Sequence, residues 1–128
     1  MIRILASLFS VLLISIMLFV LIPVEIKDTD NGKTFEILRF RIIRITLLSN
    51  ATTGYSWQVI SPTDTKILRK YYSVYNPAAA GLVGAPGQQI FTFRAIAPGT
   101  AVIKLVYLRP WEGLQKDSKP FSVTIHVR

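Results

Sequence analysis

Apolar and polar residues alternate with a period of two through most of the chain beyond residue 24, and each alternating run is bounded by turn-forming residues. This is the signature of half-buried β-strands. Asp30, Asn31 and Gly32 form a turn signal, after which Leu38, Phe40 and Ile42 alternate with Arg39 and Arg41. Ile43, Ile45 and Leu47 then alternate with Arg44 and Thr46, so the apolar face changes parity between Ile42 and Ile43. A one-residue shift of this kind predicts a β-bulge or a break between two strands. Tyr55, Trp57 and Val59 share one face of the next predicted strand, closed by Ser61 and Pro62.

Ile67 to Tyr75, rich in aromatic and β-branched residues, predicts a further strand. The stretch from Asn76 to Gly87 is too rich in Gly, Ala and Pro to form a packed element. Phe91, Phe93 and Ala95 point inward before the turn at Pro98 and Gly99, followed by a strand with Ala101, Ile103, Leu105 and Tyr107 on one face. The cleanest alternation comes last, with Phe121, Val123, Ile125 and Val127 against Ser122, Thr124, His126 and Arg128. Many short strands without a strong amphipathic helix predict an all-β, immunoglobulin-like β-sandwich, its loops gathered at its ends. Tyr55, Trp57, Phe91, Phe93 and Tyr107 are expected to supply core.

The N-terminus follows a different rule. Ile4 to Val24 contains no charged side chain, and a helix of this length spans the ~30 Å hydrocarbon core of a bilayer. Leu21, Ile22, Pro23 and Val24 offer no small-residue cleavage pattern, which favours a retained signal anchor over a removed signal peptide. Arg3 precedes the segment, whereas Glu25, Asp28 and Asp30 follow it with only Lys27 among them. The positive-inside bias then places the N-terminus in the cytoplasm and the domain outside, or leaves the domain secreted or periplasmic if cleavage occurs. The expected division is residues 1–24 as anchor or signal and 25–128 as one domain, expected to be monomeric.

Composition narrows the function classes. The chain has 15 basic and 7 acidic residues, a formal charge of +8. Because the basic residues are scattered without aromatic interleaving, a solvated basic surface is expected rather than nucleic-acid binding. Cysteine is absent, which removes disulfides, thiolate metal sites and a cysteine nucleophile. His126, the single histidine, falls on the polar face of the last strand, and the carboxylates form no obvious pair, so no catalytic residues are expected. Asp28 to Lys33, DTDNGK, superficially matches a calcium loop, but its Gly comes one place early and Arg39 stands where a bidentate Glu is required. No metal or cofactor is expected.

Three loops carry the functional signal: NATTGYSW at Asn50 to Trp57, GAPG at Gly84 to Gly87, and RPWE at Arg109 to Glu112. The first offers two adjacent hydroxyls and a Gly, which suit contact better than reaction. In order and spacing, the set resembles the signature loops of the chagasin family, protein inhibitors of papain-like cysteine peptidases. The F-x-F strand at Phe91 and Phe93 belongs to the same pattern.

The resemblance implies an immunoglobulin-like sandwich whose loops 50–55, 81–87 and 109–112 occlude the peptidase's active-site cleft, reversibly and without a covalent bond. It assigns peptidase contact to Asn50, Thr52, Thr53 and Gly54 in the first loop, Gly84 and Gly87 in the second, and Arg109, Pro110 and Trp111 in the third. Tyr55 and Trp57 would support the first loop from the core. Gly54 permits the dihedrals a tight loop needs, Trp111 is a rigid apolar anchor, and Arg109 with Glu112 would orient at the rim.

Two positions depart from the family pattern. Ala51 stands where Pro is common, loosening the loop and creating an N-A-T glycosylation acceptor at Asn50. Pro86 stands where relatives carry more glycine. The competing reading is an exported adhesion or assembly module using the same loops on a non-peptidase protein, because a fold does not by itself fix a function.

Overall fold

The computed structural model describes residues 2–62, 66–77 and 85–128. Among these residues, an N-terminal helix, α1 (Ile2–Leu21), is followed by eight strands: β1 (Val24–Lys27), β2 (Thr34–Ile37), β3 (Ile42–Ser49), β4 (Ser56–Ser61), β5 (Leu68–Asn76), β6 (Gly87–Ala95), β7 (Gly99–Leu108) and β8 (Lys119–Val127). The helix ends three residues before the predicted span does, because Val24 already pairs with Ile43 in a parallel ladder and the residue preceding Pro23 is disfavoured in helical conformation. Every described residue of α1 lacks burial against the domain core, and the helix is long and apolar enough to cross a membrane.

The strands form two four-stranded sheets, ordered β1-β3-β6-β5 and β2-β8-β7-β4. Both face a shared core. From the first sheet come Ile26, Ile43, Ile45, Leu47, Phe91 and Phe93; from the second come Trp57, Ile103, Leu105, Phe121, Val123 and Ile125. The inward set repeats every second residue, as the pleat requires. The fold is therefore mostly β with an N-terminal helix.

The parity change at Ile42/Ile43 is a break between strands. β2 stops at Ile37, and the predicted strand at 38–41 is instead a turn. Phe40 adopts φ 72°, a left-handed conformation rare for a bulky side chain. Backbone bonds hold it there, Phe40 N to Ala95 O at 2.9 Å and Ala95 N to Arg41 O at 3.0 Å. The alternation of Leu38 and Phe40 with arginines thus reflects a tight exposed turn, with both apolar side chains about half exposed.

The calcium-like segment is a structural connection. Asp28 Oδ2 accepts from Leu48 N at 3.3 Å. Asp30 accepts from Lys27 N at 2.9 Å and from Lys33 Nζ at 3.0 Å, and Asn31 Oδ1 accepts from Ser122 N at 2.9 Å. These side chains bond the backbone that carries the chain from β1 in one sheet to β2 in the other.

Candidate functional site

One end of the two sheets carries all three loops. β3 ends and β6 begins there, with Ser49 opposite Gly87; β4 begins and β7 ends there, with Ser56 opposite Leu108. Two side chains tie the sheets together beneath the loops. Trp57 on β4 donates from Nε1 to Leu48 O on β3 at 2.9 Å. Gln89 on β6 accepts from Trp57 N at 2.7 Å and donates to Trp57 O at 3.4 Å. The Trp57 ring is also packed beside Tyr107, centroids 5.1 Å apart, and edge-on to Phe121.

The first loop is a single 3-10 turn, Ala51–Thr53, capped by its own sequence. Asn50 Oδ1 accepts from Thr52 N at 3.2 Å and from Thr52 Oγ1 at 2.6 Å. Thr53 Oγ1 donates to Asn50 O at 2.7 Å and accepts from Tyr55 N at 3.3 Å. Gly54 closes the turn at φ 80°, a conformation glycine enters without steric penalty. Both threonine hydroxyl hydrogens are therefore spent inside the loop. Outward, the exposed Thr52 and Thr53 present methyl groups and oxygen lone pairs, which accept rather than donate. Asn50 N donates to the Tyr107 hydroxyl at 2.9 Å, fixing the loop to β7.

The third loop leans on the first. Arg109 donates from Nε to Thr53 O at 3.1 Å, pairs with Glu112 at 3.3 Å, and lays its guanidinium 4.7 Å from the centre of the Tyr55 ring. Such a planar fork serves both contacts at once. Glu112 N closes the Arg109–Glu112 turn on Arg109 O at 3.0 Å. This turn projects Pro110 and Trp111 outward, and Trp111 is 72% exposed. Its indole edge nonetheless covers Gly54, so closely that a Cβ added there would meet the Trp111 ring.

Of the second loop, Ala85, Pro86 and Gly87 are described; Gly84 and residues 81–83 lie outside the described residues. Pro86 is exposed, whereas Gly87 is buried. A Cβ on Gly87 would crowd Asn76 O and the Tyr75 hydroxyl, so this glycine lets β6 and β5 approach at the base of the loop.

Asn50, Thr52, Thr53, Gly54, Arg109, Pro110 and Trp111 thus share one continuous edge, with Gly87 beneath it. Tyr107 and Gln89 support this edge through hydrogen bonds to Asn50 and Trp57 that the sequence does not signal. Tyr107 reads as one more inward aromatic, and a lone Gln ahead of an apolar strand carries no signal. His126 sits on β8 with Nδ1 2.7 Å from Thr100 Oγ1, away from this edge.

Comparison with known proteins identifies the family of the chain. The family model described as "Chagasin family peptidase inhibitor I42" matches residues 40–125. The chain belongs to the chagasin family. It is 32% identical to Chagasin of Trypanosoma cruzi over 102 residues, covering 77% of this chain and 93% of that protein. It is 31% identical to Amoebiasin-2 of Entamoeba histolytica, covering 79% of this chain and 82% of the relative. Among solved structures, the cysteine protease inhibitor EhICP2 of Entamoeba histolytica superimposes with a TM-score of 0.72 at 27% identity, covering 83% of this chain and 96% of that one. As a member of the chagasin family the chain is a peptidase inhibitor and not an enzyme.

Proposed function

We propose that this chagasin-family domain inhibits papain-like cysteine peptidases reversibly, by placing the edge formed by its three loops across the active-site cleft. The carrying observation is the seating of Trp111 on Gly54, which joins the first and third loops into one exposed wedge. A wedge entering a catalytic cleft must arrive ordered, since each loop immobilised on binding costs affinity. Asn50 capping, the Tyr107 hydroxyl and the Arg109 bridge supply that order in the free protein.

In this reading Thr52, Thr53 and Gly54 meet the catalytic centre, Pro110 and Trp111 fill a wall of the cleft, and Gly84 lies in the flanking second loop. Asn50, Gly87 and Arg109 contribute mainly by holding the loops. The first loop presents a closed 3-10 turn at Ala51–Thr53 to the peptidase thiolate, which supports non-covalent binding. The domain, residues 25–128, is read as an immunoglobulin-like sandwich acting as a monomer. Residues 1–24 are read as a signal anchor that holds it outside the cytoplasm, with removal as a signal peptide the other outcome.

The test is titration of a papain-like peptidase with the full chain in detergent, beside its Trp111→Ala variant. Saturable inhibition that recovers on dilution and weakens in the variant is the expected result. Absence of inhibition at micromolar chain would overturn the reading.

A further inference from the structure

Several of the basic residues that look scattered in sequence, among them Arg39, Arg41, Arg44, Arg69 and Arg94, lie toward the end opposite the inhibitory loops. β1 and β3 begin there, as does β5, while β6 ends there. The eight residues of β3 separate the two ends by roughly 23 Å. Only two residues, Ile22 and Pro23, lie between α1 and β1, so this end sits directly beside the helix terminus.

The contacts there are specific. Arg41 donates to Ile22 O at 3.1 Å, and its guanidinium lies 4.1 Å from the centre of the Phe19 ring on α1. Leu21 and Pro23 close a groove of about 380 Å³ against the outer face of the first sheet, where Ile42, Arg44, Tyr71, Tyr72, Thr92 and Arg94 form the other wall. The Thr92 hydroxyl in this wall and Arg41 Nε are buried donors without a partner, a costly arrangement unless an acceptor is supplied. Tyr71 and Tyr72 are about half exposed, and Arg69 lines an adjoining recess with Phe40, Tyr71 and Arg94. The strained turn at Phe40 belongs to the same end; Arg94 Nε donates to Phe40 O at 3.3 Å and Arg39 Nε to Ile96 O at 2.7 Å. These bonds hold an apolar ring outward among arginines, and strain kept in place this way marks functional surface.

Among the described residues the acidic groups toward this end are Glu25, paired with Arg44 at 3.1 Å, and Glu36 on the other sheet, paired with Arg128. Guanidinium groups, exposed tyrosines and an outward Phe at the end of a bilayer-length helix match the chemistry of the headgroup layer, which takes cations on its phosphates and amphipathic rings among its glycerols. We infer that the basal face built from Phe40, Arg44, Arg69, Tyr71, Tyr72 and Arg94 rests on anionic phospholipid headgroups of the membrane that holds α1, so that the inhibitory wedge points away from the bilayer. This rests on the reading of α1 as a retained anchor. A tethered domain without such a surface tumbles on its linker; one that docks presents its wedge in a fixed direction to peptidases arriving from solution.

The chain has no cysteine, so single labels report cleanly. Full-length Leu38→Cys, labelled with a fluorophore in the basal turn beside Phe40, and Leu114→Cys, labelled beyond the third loop, both at exposed positions, are reconstituted into nanodiscs bearing a nitroxide at the lipid headgroup. Quenching at residue 38 is expected to be roughly twofold greater in discs containing phosphatidylglycerol than in purely zwitterionic ones, and to fall back in 0.5 M salt. Arg69→Glu combined with Tyr72→Ser should abolish the difference, and the label at residue 114 should not respond to lipid charge. Co-flotation with the discs is measured in parallel. Equal quenching at residue 38 in both lipids with the chain still bound to the discs overturns the docking surface alone, whereas failure to co-float overturns the anchor and the surface together.

Discussion

The indole of Trp111 occupies the space in which a side chain on Gly54 would stand, and this one contact locks the tip of the third loop onto the end of the first. Gly54 also needs its left-handed φ of 80°. Gly54→Ala therefore strains the backbone and displaces the ring at once. It is expected to weaken peptidase inhibition more than tenfold while costing about 1–2 kcal/mol of stability, read by inhibition titration and urea denaturation.

Trp111→Ala separates the two effects. The ring is largely exposed, so truncation should leave the urea midpoint almost unchanged. As a central anchor it should nonetheless cost about 2 kcal/mol or more of binding, a loss of roughly thirtyfold in inhibition constant. Unchanged inhibition would remove Trp111 from the wedge.

Arg109 is expected to act through shape as well as charge. Lysine keeps the charge but cannot both reach Thr53 O and lie flat on Tyr55. Arg109→Lys should therefore weaken inhibition nearly as much as Arg109→Ala. Glu112→Gln, which removes only a half-exposed ion pair, should change it by at most about 1 kcal/mol. Parallel titrations of the three variants check this ordering.

Ala51 opens the 3-10 turn that Asn50 caps, the position at which proline is best tolerated. Asn50 at φ −110° and ψ 97° is already extended, as a residue before proline must be. Ala51→Pro should raise stability by about 0.4–1 kcal/mol through the unfolded chain and tighten inhibition by pre-ordering the loop. It also removes the N-A-T acceptor. Thermal denaturation and titration of the variant test both effects.

Acid should loosen the connection between β1 and β2. The Lys27 backbone amide and then the Lys33 side chain, both bonded to Asp30, hold its carboxyl below the ordinary carboxylate range. A depressed folded-state value means this stabilisation is present above the unfolded value and is lost as pH falls through the folded one. Asp30→Asn should therefore be less stable than the parent at neutral pH and lose less stability on acidification. Urea midpoints from pH 7 to pH 2 provide the measurement.

Strand identity was legible because alternation survives wherever one face of a sheet is buried. Phe91, Phe93, Phe121, Val123 and Ile125 point inward as their spacing predicts. The turn at 38–41 is not legible in the sequence, because Leu38 and Phe40 alternate with arginines as a strand would, yet their exposure comes from a left-handed turn that periodicity does not encode. In the site, the motif residues could be named from their order along the chain. Tyr107 and Gln89 could not, since their roles arise from partners 57 and 32 residues away.

By itself the sequence determined a membrane-length apolar segment, a mostly-β domain and three loops of chagasin type, because each depends on local composition or short-range period. Only the tertiary structure decided that Trp111 seats on Gly54, that Arg109 braces Thr53 instead of merely facing solvent, and that Arg41, Arg44 and Arg94 gather beside the helix end. Those relationships are made by sheet pairing between distant segments, and the distances it brings together are written in no single stretch of chain.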